Sequence, residues 1–213
     1  MRYKSVMILC EGETEELFVK HVMDPYLKSQ DVYTKPVILG GVSHYAGIKK
    51  ELLKLGKNSQ YDILTTMLDY YKLPQDVPGV KQCKEKEPVN IARYIEKSIC
   101  DDLKDSIKIE RFIPYIQMHE FEALLFSNIE CFEKCEGIKT KMINDLRAEI
   151  SKFLTPEHVN NSEQTAPSKR IKRIIPSYQK TSDGMHIARA IGIETMIKQC
   201  PHFAEWIEAL REE

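Results

Sequence analysis

Apolar residues run without interruption from Val6 to Cys10 and stop at Glu11. A short unbroken run of this kind, bounded by polar residues, reads as a strand buried on both faces. From Thr14 the spacing changes, and Phe18, Val22 and Tyr26 recur every four residues along one side of a helix. The segment between them is therefore a strand-to-helix turn. The succession repeats: Val37 to Leu39 is a second strand ending at Gly40-Gly41, and Ile48, Leu52 and Leu55 line up as a helix stripe. A third strand is predicted over Tyr61 to Leu68, rich in β-branched and apolar residues, with Asp69 at its carboxyl end. A polar loop with Pro74, Pro78 and Gly79 follows, then a stripe of Ile91, Ile95, Ile99 and Leu103, then a fourth strand over Ile109 to Ile116.

Alternating strands and helices predict an α/β fold with a mostly parallel sheet of about four strands flanked by helices. Beyond Phe121 only helical patterns occur, such as Ile143, Leu146, Ile150 and Phe153, and the terminal Phe203, Trp206, Ile207 and Leu210. The expected organisation is an α/β core over 1–130 and a helical extension over 131–213 packed on it as a single structural unit. Thr155 to Ala166 reads as a surface loop.

Composition narrows the class. With 213 residues, 42% hydrophobic and 30% charged, the chain has material for one well-cored domain and is not disordered. A formal net charge of -1 excludes an overall basic field, so any nucleic-acid contact must use a local patch. The apolar run before Glu11 is too short for a signal peptide or a membrane span, and the expected location is the cytoplasm, with no membrane partner. Six cysteines without a Cys-x-x-Cys pair are expected as reduced thiols.

The candidate chemistry lies at strand ends. In an open parallel sheet, ligands bind outside the carboxyl ends of the strands, and Glu11 and Asp69 both fall there. If their strands are neighbours, the two carboxylates repel each other and a bound cation relieves the repulsion. Mg2+ (or Mn2+) suits hard oxygen ligands and needs only one or two protein carboxylates. Gly12 permits a sharp turn after Glu11, and Thr14 or Glu13 is expected to cap the helix that begins there. Glu13, Glu15 and Glu16 also suit a helix's first turn electrostatically, which leaves Glu15 as a second-rank metal ligand.

The blocks Glu11-Gly12-Glu13-Thr14-Glu15, Met67-Leu68-Asp69-Tyr70-Tyr71, His119-Glu120-Phe121-Glu122, Ala166-Pro167-Ser168-Lys169-Arg170 and Cys200-Pro201-His202-Phe203 span nearly the whole chain. The first two resemble the TOPRIM domain shared by topoisomerases, primases and the overcoming-lysogenization-defect (OLD) nucleases. In combination, and with Gly40-Gly41 and Tyr45, they more closely resemble a TOPRIM-like family described as a domain of unknown function, often encoded beside an AAA or ABC-type ATPase. TOPRIM domains generally carry Asp-x-Asp at the third strand, and here Tyr71 stands where the second aspartate would be. Glu120 and Glu122 are the candidate replacements. On a helix they diverge by about 200°, so one of them faces the metal, with Glu122 preferred. His119 either positions a phosphate or satisfies a backbone carbonyl.

What the resemblance implies is a Mg-dependent nuclease that cleaves DNA with an ATPase partner in defence against phage. The expected catalytic residues are Glu11, Asp69, Glu120, Glu122 and Lys180, with Glu11, Asp69, Glu15 and Glu122 on the metal. Lys169, Arg170, Lys172 and Arg173 form a basic cluster suited to the phosphate backbone. The basic residue that OLD-like enzymes place beside their metals has Lys169, Arg170 and Lys180 as candidates. Alternative readings are a non-catalytic regulatory or nucleic-acid-binding subunit, and a nuclease acting on RNA or tRNA. A homo-oligomer is left open. No P-loop is present, so ATP hydrolysis is not expected of this chain.

Overall fold

A computed structural model describes residues 3–212 except 59, 109, 110, 160, 161, 163 and 164. Strand β1 (Lys4–Cys10) is central and runs parallel to β2 (Val32–Ile38) on one side and β3 (Ile63–Asp69) on the other. Beyond β3 lie two short segments, β4 (Phe112–Ile113) and β5 (Ile116–Gln117), both parallel to it. Because the chain leaves β1 first to one side and later to the other, the strand order reverses between β1 and β3. A crevice opens at such a point, beyond the carboxyl ends of the strands.

Alternation along β1 builds two apolar layers. Val6, Ile8 and Cys10 enter one cluster, and Met7 and Leu9 enter the other. The second layer is covered by α3 (Tyr45–Gly56) and α4 (Pro88–Leu103), through Ile48, Leu52, Ile95 and Ile99. The first is covered by α1 (Glu13–Phe18) and α2 (Asp24–Lys28), and by helices of the carboxyl-terminal half. A π-helical turn, Val19–Met23, joins α1 to α2. Pro25 follows it, and a proline there would clash with the carbonyl four residues back in a regular α-helix, so the widened turn lets the helix continue.

The strand expectations were sound for β1 and β3 and incomplete elsewhere. The second strand begins at Val32, five residues before the predicted start. Its polar Thr34-Lys35 and the following Pro36 are tolerated because β2 is an edge strand, where a proline need not donate to the ladder. The fourth strand is broken at Pro114, and of its predicted span Ile109 and Glu110 lie outside the described residues. Hydroxyls bridge the break: Thr65 Oγ1 donates to the Ile113 carbonyl. Thr66 Oγ1 donates to the Tyr115 carbonyl at 2.8 Å and accepts from the Tyr115 N–H at 2.8 Å.

After β5 the chain is helical, as expected: α5 (Glu122–Leu125), α6 (Thr140–Ile150), α7 (Pro167–Ile174), α8 (Asp183–Ile191), α9 (Ile193–Gln199) and α10 (Pro201–Arg211). The apolar stripe of α10 is core: Phe203, Ile207 and Leu210 are fully buried beside Val6 and Ile8. Trp206 stacks on Tyr115 at 4.1 Å between ring centroids and donates from Nε1 to Thr65 Oγ1 at 2.8 Å. Among the described residues no helix is long and apolar enough to cross a membrane.

A partly buried ion pair ties α10 to α4. Glu96 Oε1 accepts from the Ile116 N–H at 2.8 Å and lies 2.9 Å from His202 Nε2. Burial alone would lower the pKa of His202, but the hydrogen bond and charge of Glu96 outweigh it and the net shift is upward. A raised histidine pKa stabilises the fold below about pH 6.5, and this contribution fades as pH rises through the folded value. His202→Gln is therefore expected to flatten the dependence of melting temperature on pH above about 6.5. Parallel curves for parent and variant would refute the assignment.

Candidate active site

The sheet itself places the first two acids. Glu11 follows β1 directly, where its N–H still donates to the Met67 carbonyl of β3 at 3.1 Å. One of its carboxylate oxygens, Oε2, accepts from the Asp69 N–H at 3.1 Å, which locks the two strand ends together through the acid. Asp69 is the last residue of β3 and is fully buried, with neither carboxylate oxygen hydrogen-bonded.

Glu15 arrives from the first turn of α1. Its Oε2 accepts from the Gly12 N–H at 3.0 Å, and its buried Oε1 has no hydrogen-bond partner. Gly12, not Glu13 or Thr14, occupies the cap position, and the reach of Glu15 back to it satisfies an N–H that the helix start would leave open. Glu122 opens α5 and is also fully buried.

Lys180 gathers these acids. Its Nζ lies 3.2 Å from Glu122 Oε2 and 3.9 Å from both Asp69 Oδ2 and Glu15 Oε1. A second ammonium, Lys72, approaches from the single helical turn after β3, 2.5 Å from Glu11 Oε1 and 3.9 Å from Asp69 Oδ2. Sequence reasoning missed Lys72. Its position three residues after Asp69, at a strand's carboxyl end, is the signal that could have found it.

The electrostatics follow from crowding in a dry place. Burial, then repulsion from Glu15 and Glu11, raises the pKa of Asp69 well above the ordinary carboxylate value, against the pull of Lys180. Burial likewise raises Glu122, partly offset by Lys180. For Lys180, burial pulls the pKa down, but the carboxylates of Glu122, Asp69 and Glu15 prevail and raise it. Lys180 is therefore a firmly charged ammonium facing carboxylates that would gain from more positive charge.

An oxygen-only donor set with orphaned buried atoms fits a hard divalent ion. Glu11, Asp69, Glu15 and Glu122 are the residues that would hold Mg2+ or Mn2+. Among the described residues no group of three or more His, Cys, Asp or Glu side chains is spaced to hold a metal ion as it stands. The two lysines occupy the spaces between the acids, and all six cysteines are free thiols.

The remaining expected residues lie elsewhere. Glu120 Oε2 accepts from the Ser168 N–H at 2.9 Å and so caps the start of α7 rather than joining the acids around Lys180. His119 adopts a left-handed backbone, φ 69°, and its Nε2 meets the Glu157 carbonyl at 3.0 Å, the structural alternative of the two foreseen. Arg170 is not a surface phosphate contact. Its side chain is buried, donating to the Thr165 carbonyl at 2.7 Å, pairing with Glu149 and lying over the Phe153 ring. It turns inward because α7 is amphipathic, with Arg170 and Ile171 on the covered side. Lys169, Lys172 and Arg173 are exposed on α7, and Arg173 also pairs with Glu149 at 2.8 Å.

A search of the curated proteins finds no match. Among solved structures, the chain is similar to the C-terminal region of the Burkholderia pseudomallei OLD protein, with 100% of each chain covered, 11% sequence identity and a TM-score of 0.48. The model of the family described as Domain of unknown function (DUF4276) matches residues 10–211, a span that includes every acid and both lysines of the cluster, and the chain belongs to that family.

Proposed function

We propose that the carboxyl edge of β1 and β3 is a Mg2+- or Mn2+-dependent site for cleavage of phosphodiesters, with DNA as the substrate. The observation that carries this reading is the fully buried, hydrogen-bond-free carboxylate of Asp69, set among Glu11, Glu15 and Glu122 at the point where strand order reverses. Burying such a charge without donors is costly, and a structure retains it where a cation or a reaction uses it. When bound, the ion supplies Lewis-acid stabilisation of charge on a phosphate oxygen. Lys180 holds its proton beside Glu122 and Asp69 and supports charge developing on the phosphate. Lys169, Lys172 and Arg173 offer exposed positive charge for the backbone of a longer strand. An ATPase partner and a role in phage defence extend this reading, as the sequence resemblance implies.

The second reading, a non-catalytic binding or regulatory subunit, draws on Tyr71. It stands where the second aspartate would be, its side chain is exposed, and its N–H donates to the His119 carbonyl at 3.0 Å. Purified protein, alone and with an ATPase encoded beside it, is incubated with supercoiled plasmid and with tRNA in Mg2+ or Mn2+. Plasmid nicking or linearisation is the expected result, and cleavage of tRNA alone would move the substrate to RNA. Lys180→Met is expected to lower the cleavage rate about 100-fold or more, comparable to losing one transition-state charge donor. Absence of cleavage in every condition, together with retained DNA binding, would favour the second reading.

A further inference from the structure

Lys72 is the part of the cluster that the proposed chemistry leaves unused, and its position is unusual for a surface lysine. Glu11 has both carboxylate oxygens engaged: Oε2 by the Asp69 N–H and Oε1 by the Lys72 ammonium at 2.5 Å. The backbone bond holds the carboxylate against β3, so a cation reaching Glu11 competes with Lys72 for Oε1. Lys72 can move. Its side chain is about half exposed, and it sits on a three-residue turn, whereas Lys180 is held among three acids.

There is also a place for it to go. A cavity of about 180 Å³ adjoins Glu11, lined by Glu11 and Lys72 themselves, by Gly40 and Gly41 beyond β2, and otherwise by apolar side chains such as Leu39 and Leu73. The charge count points the same way. With all groups ionised, four carboxylates against two ammoniums leave a formal charge of -2, which one divalent ion cancels if both lysines remain nearby. Lys72 is thus redirected by a metal, not expelled.

We propose that Lys72 is a resident counter-ion of the acidic site. Its ammonium holds the metal's place on Glu11 and, when a divalent cation binds, swings to the adjoining cavity, where it receives a phosphate oxygen of the substrate. This rests on the metal-site reading above. It makes metal and phosphodiester binding mutually reinforcing, because the cation releases the group that captures the anion, and coupling of this kind is reciprocal.

The test is calorimetric titration of Mn2+ into the parent protein, Lys72→Met and Lys72→Arg, each with and without the dinucleotide dTpdT. Without dTpdT, Lys72→Met is expected to bind Mn2+ roughly fivefold or more tighter than the parent, because the competing ammonium is gone. With dTpdT, the parent is expected to gain Mn2+ affinity by roughly fivefold or more, and Lys72→Met to gain none. Lys72→Arg keeps the charge and should behave as the parent in both arms. Equal Mn2+ affinity in parent and Lys72→Met overturns the proposal while leaving the metal site standing. An undiminished dTpdT effect in Lys72→Met overturns the anion-receiving role. No Mn2+ bound by any of the three proteins overturns the metal reading and this proposal together.

Discussion

Asp69→Asn is expected to abolish metal-dependent cleavage while raising the melting temperature of the metal-free protein. The loss of activity should be about 100-fold or more, since even groups that only support a metal ligand cost 10–100-fold when removed. The gain in stability has a separate origin. Asp69 is fully buried, accepts no hydrogen bond, and faces the charges of Glu15, Glu11 and Glu122. Asparagine has nearly the same shape, carries no charge, and its amide can donate to a neighbouring carboxylate. Relief of one buried, unsatisfied charged group is worth about 1–3 kcal/mol.

The pH dependence gives the sign. The pKa of Asp69 is raised in the folded protein, so ionisation there costs the fold stability above that value. The advantage of Asp69→Asn should be largest above the folded pKa and should close as pH falls through it toward the ordinary carboxylate range, where the parent takes up its own proton. Thermal melts in a chelator across pH check both claims. A variant that melts below the parent at every pH would show that the acids are not in net repulsion.

The second large effect is on stability alone. Glu157 is fully buried in the short helical turn Pro156–His158, and its two oxygens accept from the N–H groups of His202 at 3.1 Å and Phe203 at 2.9 Å. These are free donors at the start of α10, so Glu157 caps from 45 residues away the helix that carries Phe203 and Trp206 into the core. Burial raises its pKa, and the two backbone bonds oppose that shift. Glu157→Ala strands two buried donors and is expected to cost about 2–4 kcal/mol. For a chain of this size that lowers the melting temperature by about 5–15 °C. Glu157→Gln keeps one acceptor and should lose less. Unchanged melting in Glu157→Ala would remove Glu157 from the cap.

Much of the site was legible because local rules place it. Glu11 ends an unbroken apolar run and Asp69 ends another, so both acids were recognisable as strand ends before any contact was known. The preference for Glu122 over Glu120 supposed both on one helix, whereas α5 begins at Glu122; the structure keeps Glu122 with the acids and leaves Glu120, ahead of that helix, to cap α7. Arg170 shows the opposite case. In sequence it sits in a row of basic residues, yet only the packing of α7 decides that it turns inward to Glu149 while Lys169 and Lys172 stay exposed.

Hydrophobic periodicity alone determined the alternating strands and helices, the buried character of β1 and β3, and the helical nature of the carboxyl-terminal half, because period and burial are properties of neighbours in the chain. Only the tertiary structure decided that β1 lies beside β3, and therefore that Glu11 bonds the Asp69 backbone. It alone brought Lys180 among acids from three separate elements, set Lys72 on Glu11, and delivered Glu157 to α10. Those pairings join residues tens to more than a hundred positions apart. Their energy comes from charge and desolvation in a shared buried space, which no local pattern encodes.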